Sequence, residues 1–347
     1  MQIKNAARIR IGVLFAFFYL VLNGCKQDGA AIIAPSNTPI LQIPMGFPAM
    51  PFPTDNSFTD ARWRLGKRLF YDKQLSNNNT ISCASCHYAN RAFSDSVALS
   101  LGDDNAIGTS NAPTLANVGY QPYFTRAGGV STLEMQVLIP IQEHNEFNTN
   151  ILDIIDKLQL DATYQQQAQA AYSRNLDAFV VTRAIATFER SLISGNSRFD
   201  AYFFQQNANA FSESEQRGYQ LFTSSRTNCA QCHSGFNFTN YAFENTGLYE
   251  EYADLGRMRL TRLLTDKARF KVPTLRNIAL TAPYMHDGSK QTLQDVVEHY
   301  NSGGKNHINK SGLLQPLLLT NQEKTDIINF LHTLTDNSFI QNKHFIQ

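Results

Sequence analysis

The pentapeptide C-x-x-C-H occurs twice, as Cys83-Ala84-Ser85-Cys86-His87 and Cys229-Ala230-Gln231-Cys232-His233. This is the pattern of covalent c-type haem attachment. Two cysteines one helical turn apart form thioethers with the haem vinyl groups, and the adjacent histidine reaches the iron. A zinc knuckle or a redox dithiol also uses C-x-x-C. Two copies, each followed by His, in a chain with no other paired cysteines, point instead to two haems. A chain built around two such cofactors must fold as two modules that each enclose one.

The length, 347 residues, suits two domains, and 43% hydrophobic with 17% charged residues is a globular composition. Four of the five cysteines lie in the haem motifs, which leaves Cys25 alone and excludes an internal disulfide. Lys4, Arg8 and Arg10 precede an apolar run from Ile11 to Leu22 that is too short for a typical membrane span. The run ends in Leu22-Asn23-Gly24-Cys25, which resembles a bacterial lipobox. The expectation is a signal peptide over 1–24, lipidation of Cys25, and an exported lipoprotein held at the membrane on the periplasmic side only by that anchor. Export suits c-type haem attachment, which in bacteria takes place outside the cytoplasmic membrane. Three of the 30 basic residues and none of the 29 acidic ones lie in 1–24, so the mature chain carries a formal −2. That balance gives no reason to expect nucleic acid as a partner. Residues 25–55 hold Pro35, Pro39, Pro44, Pro48, Pro51 and Pro53 and read as the lipidated cysteine and a flexible tether.

The surroundings of the two motifs repeat. Leu65-Gly66-Lys67-Arg68-Leu69-Phe70 precedes the first and Arg217-Gly218-Tyr219-Gln220-Leu221-Phe222 the second, each reading as an amphipathic helix. Ile185, Phe188 and Leu192, and again Ile327, Phe330 and Leu334, recur at the i, i+3, i+7 spacing of one helix face. Capping boxes are expected at Ser212/Glu215 and Thr320/Glu323. The fold class is therefore mainly α: two cytochrome c-like haem domains, 56–205 and 206–347, with long loops over 88–113 and 234–256 and the haems near the domain interface.

With both haem motifs and their flanking helices in place, the sequence resembles the bacterial di-haem cytochrome c peroxidase family, which includes the MauG-like enzymes. The resemblance covers about residues 57–335. It is strongest over the segment Phe270 to Ser289, with further matches in Asn111-Ala-Pro-Thr-Leu-Ala-Asn117 and Leu133 to Pro140. It implies a peroxide-site haem held by His87 in the N-terminal domain and an electron-transfer haem held by His233 in the C-terminal one. Gln136 and Glu146 match a distal pair spaced ten residues apart, with Glu146 as acid/base, Gln136 as hydrogen-bond donor, and Glu143 a nearby competitor. Many relatives carry a distal His in the loop after the first motif. No His lies between Tyr88 and Glu143, so the first haem is expected to be open without prior reduction.

The sixth ligand of the second haem matches Tyr300, with Met285 as the alternative. A thioether raises haem potential, whereas a phenolate favours the ferric state. Asn111, Thr281 and Pro283 match a family calcium site made of oxygen ligands. The family's inter-haem Trp position falls on Arg126, and the only Trp, Trp63, reads as core. The implied activity is reduction of hydrogen peroxide with electrons from a small cytochrome c or cupredoxin. A MauG-like oxidase acting on a protein or small molecule is the competing enzyme, and a non-catalytic electron-transfer or sensing cytochrome a third reading. A homodimer stays open.

Overall fold

A computed structural model describes residues 40–347. Residues 1–24, expected as a signal peptide, and Cys25 lie outside the described residues. Helix α1 (Asp60–Tyr71) starts where the Thr59 side chain accepts the Arg62 N–H, with Asp60 in its first turn and Arg68 in its last, both favourable to the helix dipole. The first half continues through α2 (Leu133–Gln136), α3 (Leu138–Gln142), α4 (Ile151–Leu158), α5 (Ala162–Tyr172) and α6 (Ala178–Arg190). After α7 (Arg198–Phe203) come α8 (Glu213–Thr223), α9 (Cys229–Cys232), α10 (Met258–Thr261), α11 (Leu293–Asn301), α12 (Asn321–His332) and α13 (Asn337–Ile340). Among the described residues the one sheet is a pair of two-residue antiparallel strands, β1 (Phe243–Glu244) and β2 (Phe270–Lys271).

Each half is built on one helix crossing, α1 on α6 and α8 on α12. The expected closing-helix residues are all buried: Ile185, Phe188 and Leu192 in the first half, Ile327, Phe330 and Leu334 in the second. Both expected capping boxes form, at the starts of α8 and α12. At each crossing a glycine lets the backbones meet. A Cβ on Gly66 would overlap the Ala184 carbonyl and press on Phe188, and a Cβ on Gly218 would do the same to Asp326 and Phe330. Trp63 is core, its indole N–H donating to Ser191 Oγ at 2.8 Å.

The duplication extends well past the haem motifs. Pro113-Thr-Leu-Ala-Asn117 and Pro273-Thr-Leu-Arg-Asn277 are 160 residues apart, and the same offset holds through the next turn and helix of each half. Asn117 (φ +59°) and Asn277 (φ +60°) both take the left-handed conformation and donate their backbone N–H to Leu192 and Leu334, the last residues of the two closing faces. Asparagine tolerates that conformation better than most residues. The turns closed by Phe124 N–H on Val130 O and by Tyr284 N–H on Lys290 O, each 2.7 Å, correspond in register. So do the N-caps Thr132 of α2 and Thr292 of α11. The two copies face each other. Asn111 N–H donates to His286 O at 3.0 Å, and the matching Lys271 N–H donates to Arg126 O at 2.8 Å.

Two expected boundaries shift. Residues 40–55 pack on the globule instead of hanging as a tether, because their apolar side chains find aromatic partners. Phe47 meets Phe236 edge-on at 4.7 Å, Met50 is buried, and Asp55 pairs with Arg183. The C-terminal segment, expected in the second domain, lies in the first core. Phe339 and Phe345 approach Phe93 at 5.7 and 6.4 Å, while Lys67 and Tyr71 donate to the Ile346 and Phe345 carbonyls, each at 2.6 Å.

Candidate active site

Both haem motifs form tight turns whose histidine is held by backbone. The His87 N–H donates to Cys83 O at 3.1 Å and the His233 N–H to Cys229 O at 2.9 Å. The Nδ1 of His87 lies 2.8 Å from Phe93 O, and that of His233 lies 3.1 Å from Phe238 O. A carbonyl only accepts, so Nδ1 carries the hydrogen and Nε2 keeps its lone pair for a metal. Burial lowers the pKa of both rings, which favours the neutral, ligating form. The carbonyls are aimed by strained backbone: Ala92 and Phe93 at φ +53° and +59°, and Phe238 at φ +50°.

Cys83, Cys86, Cys229 and Cys232 are unbridged. Burial pushes Cys86 and Cys232 up to about 11 and raises the other two as well. A reactive dithiol needs the opposite shift. Among the described residues no group of three or more His, Cys, Asp or Glu side chains could hold a metal ion. The donor set therefore fits haem: neutral thiols for thioether formation beside one oriented imidazole.

Gln136 ends α2, and its position has two causes. Pro140 has no N–H to offer the Gln136 carbonyl, so the helix breaks at Val137 before α3. Behind it, the buried Arg190–Glu134 pair, closed at 2.5 Å with Asn56 also donating to Glu134, ties α2 to α6. The Gln136 Oε1 end of the amide is buried and has no protein partner, and the residue lines a cavity of about 170 Å³ between the two halves. Glu146 follows α3 in a turn fixed by Phe147 N–H on Pro140 O at 3.0 Å and Asp103 N–H on Glu146 O at 2.7 Å. Its side chain is exposed, yet the surrounding protein desolvates the carboxyl and pushes its pKa up to about 7, with the Glu143 charge adding to the rise. It lies near enough to Cys83 and Cys86 to raise both thiols.

Tyr300, on α11, packs in the core cluster that contains Cys229 and Ala230, and burial followed by the nearby Cys229 and Cys232 raises its phenol. Met285 stands apart, packed like Phe270 against a smaller cluster of Leu248, Tyr252 and Ala268. Met285 (φ +75°) is also the register partner of Thr125 (φ +62°), so the position is a turn in both copies. The register partner of Tyr300 is Pro140, which has no ligating atom.

The cavity between the halves is lined by Asn111, Thr281 and Pro283, and also by Arg126 and Lys271. Arg126 donates to Asn111 O through Nε at 3.1 Å and Nη2 at 2.5 Å, and Nη2 reaches Asn111 Oδ1 at 3.3 Å. Burial lowers Arg126 to about 10 and, with the Arg126 charge, lowers Lys271 to about 7. Tyr123 stacks on Phe243 at 5.3 Å nearby. Sequence reasoning passed over this cation pair and the Phe93 and Phe238 carbonyls. The repeated Pro-Thr-Leu-x-Asn segment was the signal that leads to them, since it sets the 160-residue register.

Residues 60–209 match the family model described as di-haem cytochrome c peroxidase, and residues 215–335 match that of cytochrome c. The methylamine utilization protein MauG of Methylophilus methylotrophus is 31% identical over 82% of this chain and 86% of its own length. The cytochrome c peroxidase Ccp of Escherichia coli K12 is 35% identical over 86% of this chain and 61% of its own. A solved MauG-like protein associated with microbial copper homeostasis superposes with a TM-score of 0.83 at 35% identity, covering 87% of this chain and 97% of that one.

Proposed function

Because the chain belongs to the di-haem cytochrome c peroxidase and MauG family, we propose that it reduces hydrogen peroxide to water with electrons from a small redox protein, a cytochrome c or a cupredoxin. The observation that carries this reading is the Glu146 carboxyl, held near neutrality beside the first haem motif, on a turn continuous with the break that positions Gln136. When bound at His87 and His233, the two haems supply the iron that meets peroxide and the store of electrons. One peroxide, two protons and two electrons give two waters. Ionised Glu146 takes the proton from one peroxide oxygen and returns it to the other as the O–O bond breaks. The Gln136 amide orients the peroxide through a hydrogen bond. Thioether bonds to Cys83, Cys86, Cys229 and Cys232 hold both groups in place.

Tyr300 would serve as the sixth ligand of the second haem, and Pro140, at the same register position, would offer no ligand to the first. Replacing Tyr300 by Met exchanges an anionic ligand for a thioether. It should raise the second midpoint potential and change the low-spin spectrum, while Met285→Leu leaves both alone. An unchanged spectrum in Tyr300→Met would exclude the ligand role.

The test of function is steady-state peroxide consumption by the di-haem protein with reduced cytochrome c. Absence of turnover with every reduced donor would remove the peroxidase reading. Glu146 must be ionised to accept a proton, and its pKa is raised. The rate therefore rises with pH through about 7 and falls on the acid side, as a kcat/KM profile will show. The Tyr300 phenol and the Pro140 position also favour a second reading, a MauG-like oxidation of a protein or small molecule. Peroxide consumption without an external donor, coupled to modification of such a substrate, distinguishes it. The boundaries 56–205 and 206–347 are kept for the two haem modules, apart from the exchanged tail. No described helix is long and apolar enough to cross a membrane. Export and anchoring through Cys25 complete the proposal.

A further inference from the structure

We propose that Arg126, with Lys271 beside it, is the resident cation between the two haem modules, taking the place that the oxygens of Asn111, Thr281 and Pro283 would otherwise give to calcium. The proposal rests on the reading of two haem modules and concerns what balances charge where they meet.

The placement is set by backbone. Arg126 and His286 are register partners on the facing turns, and the reciprocal bonds Asn111 N–H to His286 O and Lys271 N–H to Arg126 O pin both turns at the interface. The Arg126 guanidinium binds Asn111 twice at the carbonyl and once at Oδ1. The Asn111 amide nitrogen donates the other way, to Val97 O at 3.1 Å and Ala98 O at 3.4 Å, so Oδ1 is fixed toward the guanidinium. A calcium ion needs six to eight oxygens, most of them free to turn to it. Here both oxygens of Asn111 are already engaged by a positive group, and the Lys271 amine lies alongside. A divalent cation would meet repulsion from the Arg126 charge.

The pair also points to its counter-charge. Every hydrogen bond these two side chains make among the described residues goes to an uncharged oxygen: Asn111 for Arg126, and Gln121 Oε1 and Tyr123 O for Lys271. Asp287 and Asp254 act on Arg126 only through space. A buried cation is stable when an anion is supplied. Haems held at His87 and His233 would bring anionic side groups that could supply it, and Arg126 would then act as a positioning residue for them.

The experiment uses the di-haem protein. Metal analysis after dialysis against EGTA should find no stoichiometric calcium, with haem spectra unaltered. One calcium per chain whose removal changes the spectra would overturn the proposal. In Arg126→Gln, loss of the positive charge should lower at least one midpoint potential, by about tenfold in the reduction equilibrium, which is about 59 mV for one electron. Arg126→Lys should restore most of it. Unchanged potentials in Arg126→Gln would also overturn the proposal. If Arg126→Gln does not fold, Lys271→Gln carries the same potential measurement. Haem content of the same samples separates this from the parent reading. Fewer than two haems per chain refutes the two-module reading, whereas two haems with bound calcium refutes only this one.

Discussion

Replacing Glu146 by Gln lowers peroxide turnover by about a hundred- to ten-thousand-fold, the range that a positioned proton-transfer group contributes. The substitution keeps the shape of the side chain and the backbone bonds from Asp103 and Phe147 that fix its turn. It removes the basic oxygen and nothing that holds either haem, so the absorption of both haems should persist. Turnover near the original level would show that another group moves the proton. Glu143 is the natural competitor, exposed and three residues away. Its own replacement by Gln acts differently. Removing the negative charge that helps raise Glu146 shifts the acid limb of the pH profile to lower pH, with little change in the plateau rate.

Gly66→Ala and Gly218→Ala each destabilise the protein by about 3 kcal/mol, at the upper end of what overpacking a tight contact costs. Helix propensity alone predicts the opposite sign, since alanine is about 1 kcal/mol better than glycine inside a helix. Packing wins because the added methyl meets a backbone carbonyl, which cannot swing aside as a flexible side chain would. To relieve the overlap α1 must move off α6, or α8 off α12, and each shift opens the Phe188 or Phe330 contacts in the same core. Denaturant unfolding of the haem-loaded protein measures the loss. Gly312→Ala, where a Cβ would meet nothing, is the neutral control. Equal stability of all three variants would mean that the crossings can relax.

What was legible in the sequence was what local chemistry dictates. The C-x-x-C-H motifs, the capping boxes at α8 and α12 and the spacing of Ile185, Phe188 and Leu192 each state their structure within a few residues. Gln136 and Glu146 were named only through resemblance, because two polar residues ten apart carry no chemical pattern of their own. The 160-residue register was present in the letters but sparse: between Pro113 and Val137 few positions are identical in both copies, and the match lies in backbone conformation. Asn117 and Asn277 share an αL conformation, while Thr125 and Met285 share one with no chemical likeness. Arg126 was noticed as a missing Trp, and its contact with Asn111 depends on two turns meeting across the molecule. Phe339 and Phe345 carried no periodic signal, so their destination was invisible.

That tail has a consequence in time. The half that carries His87 is made first, yet its aromatic core around Phe93 is roofed by Phe339 and Phe345, made only after the second haem module, and Asp336, at the head of α13, gathers Ser194, Gly195 and Asn196 from the linker between the halves. Synthesis order and closure order are thus reversed for the peroxide half. A fragment ending near residue 205 would carry a complete haem motif and an unfinished core. A protease that clipped the chain after Asp336 would strip the peroxide half of its roof, although the cut lies far along the chain from His87.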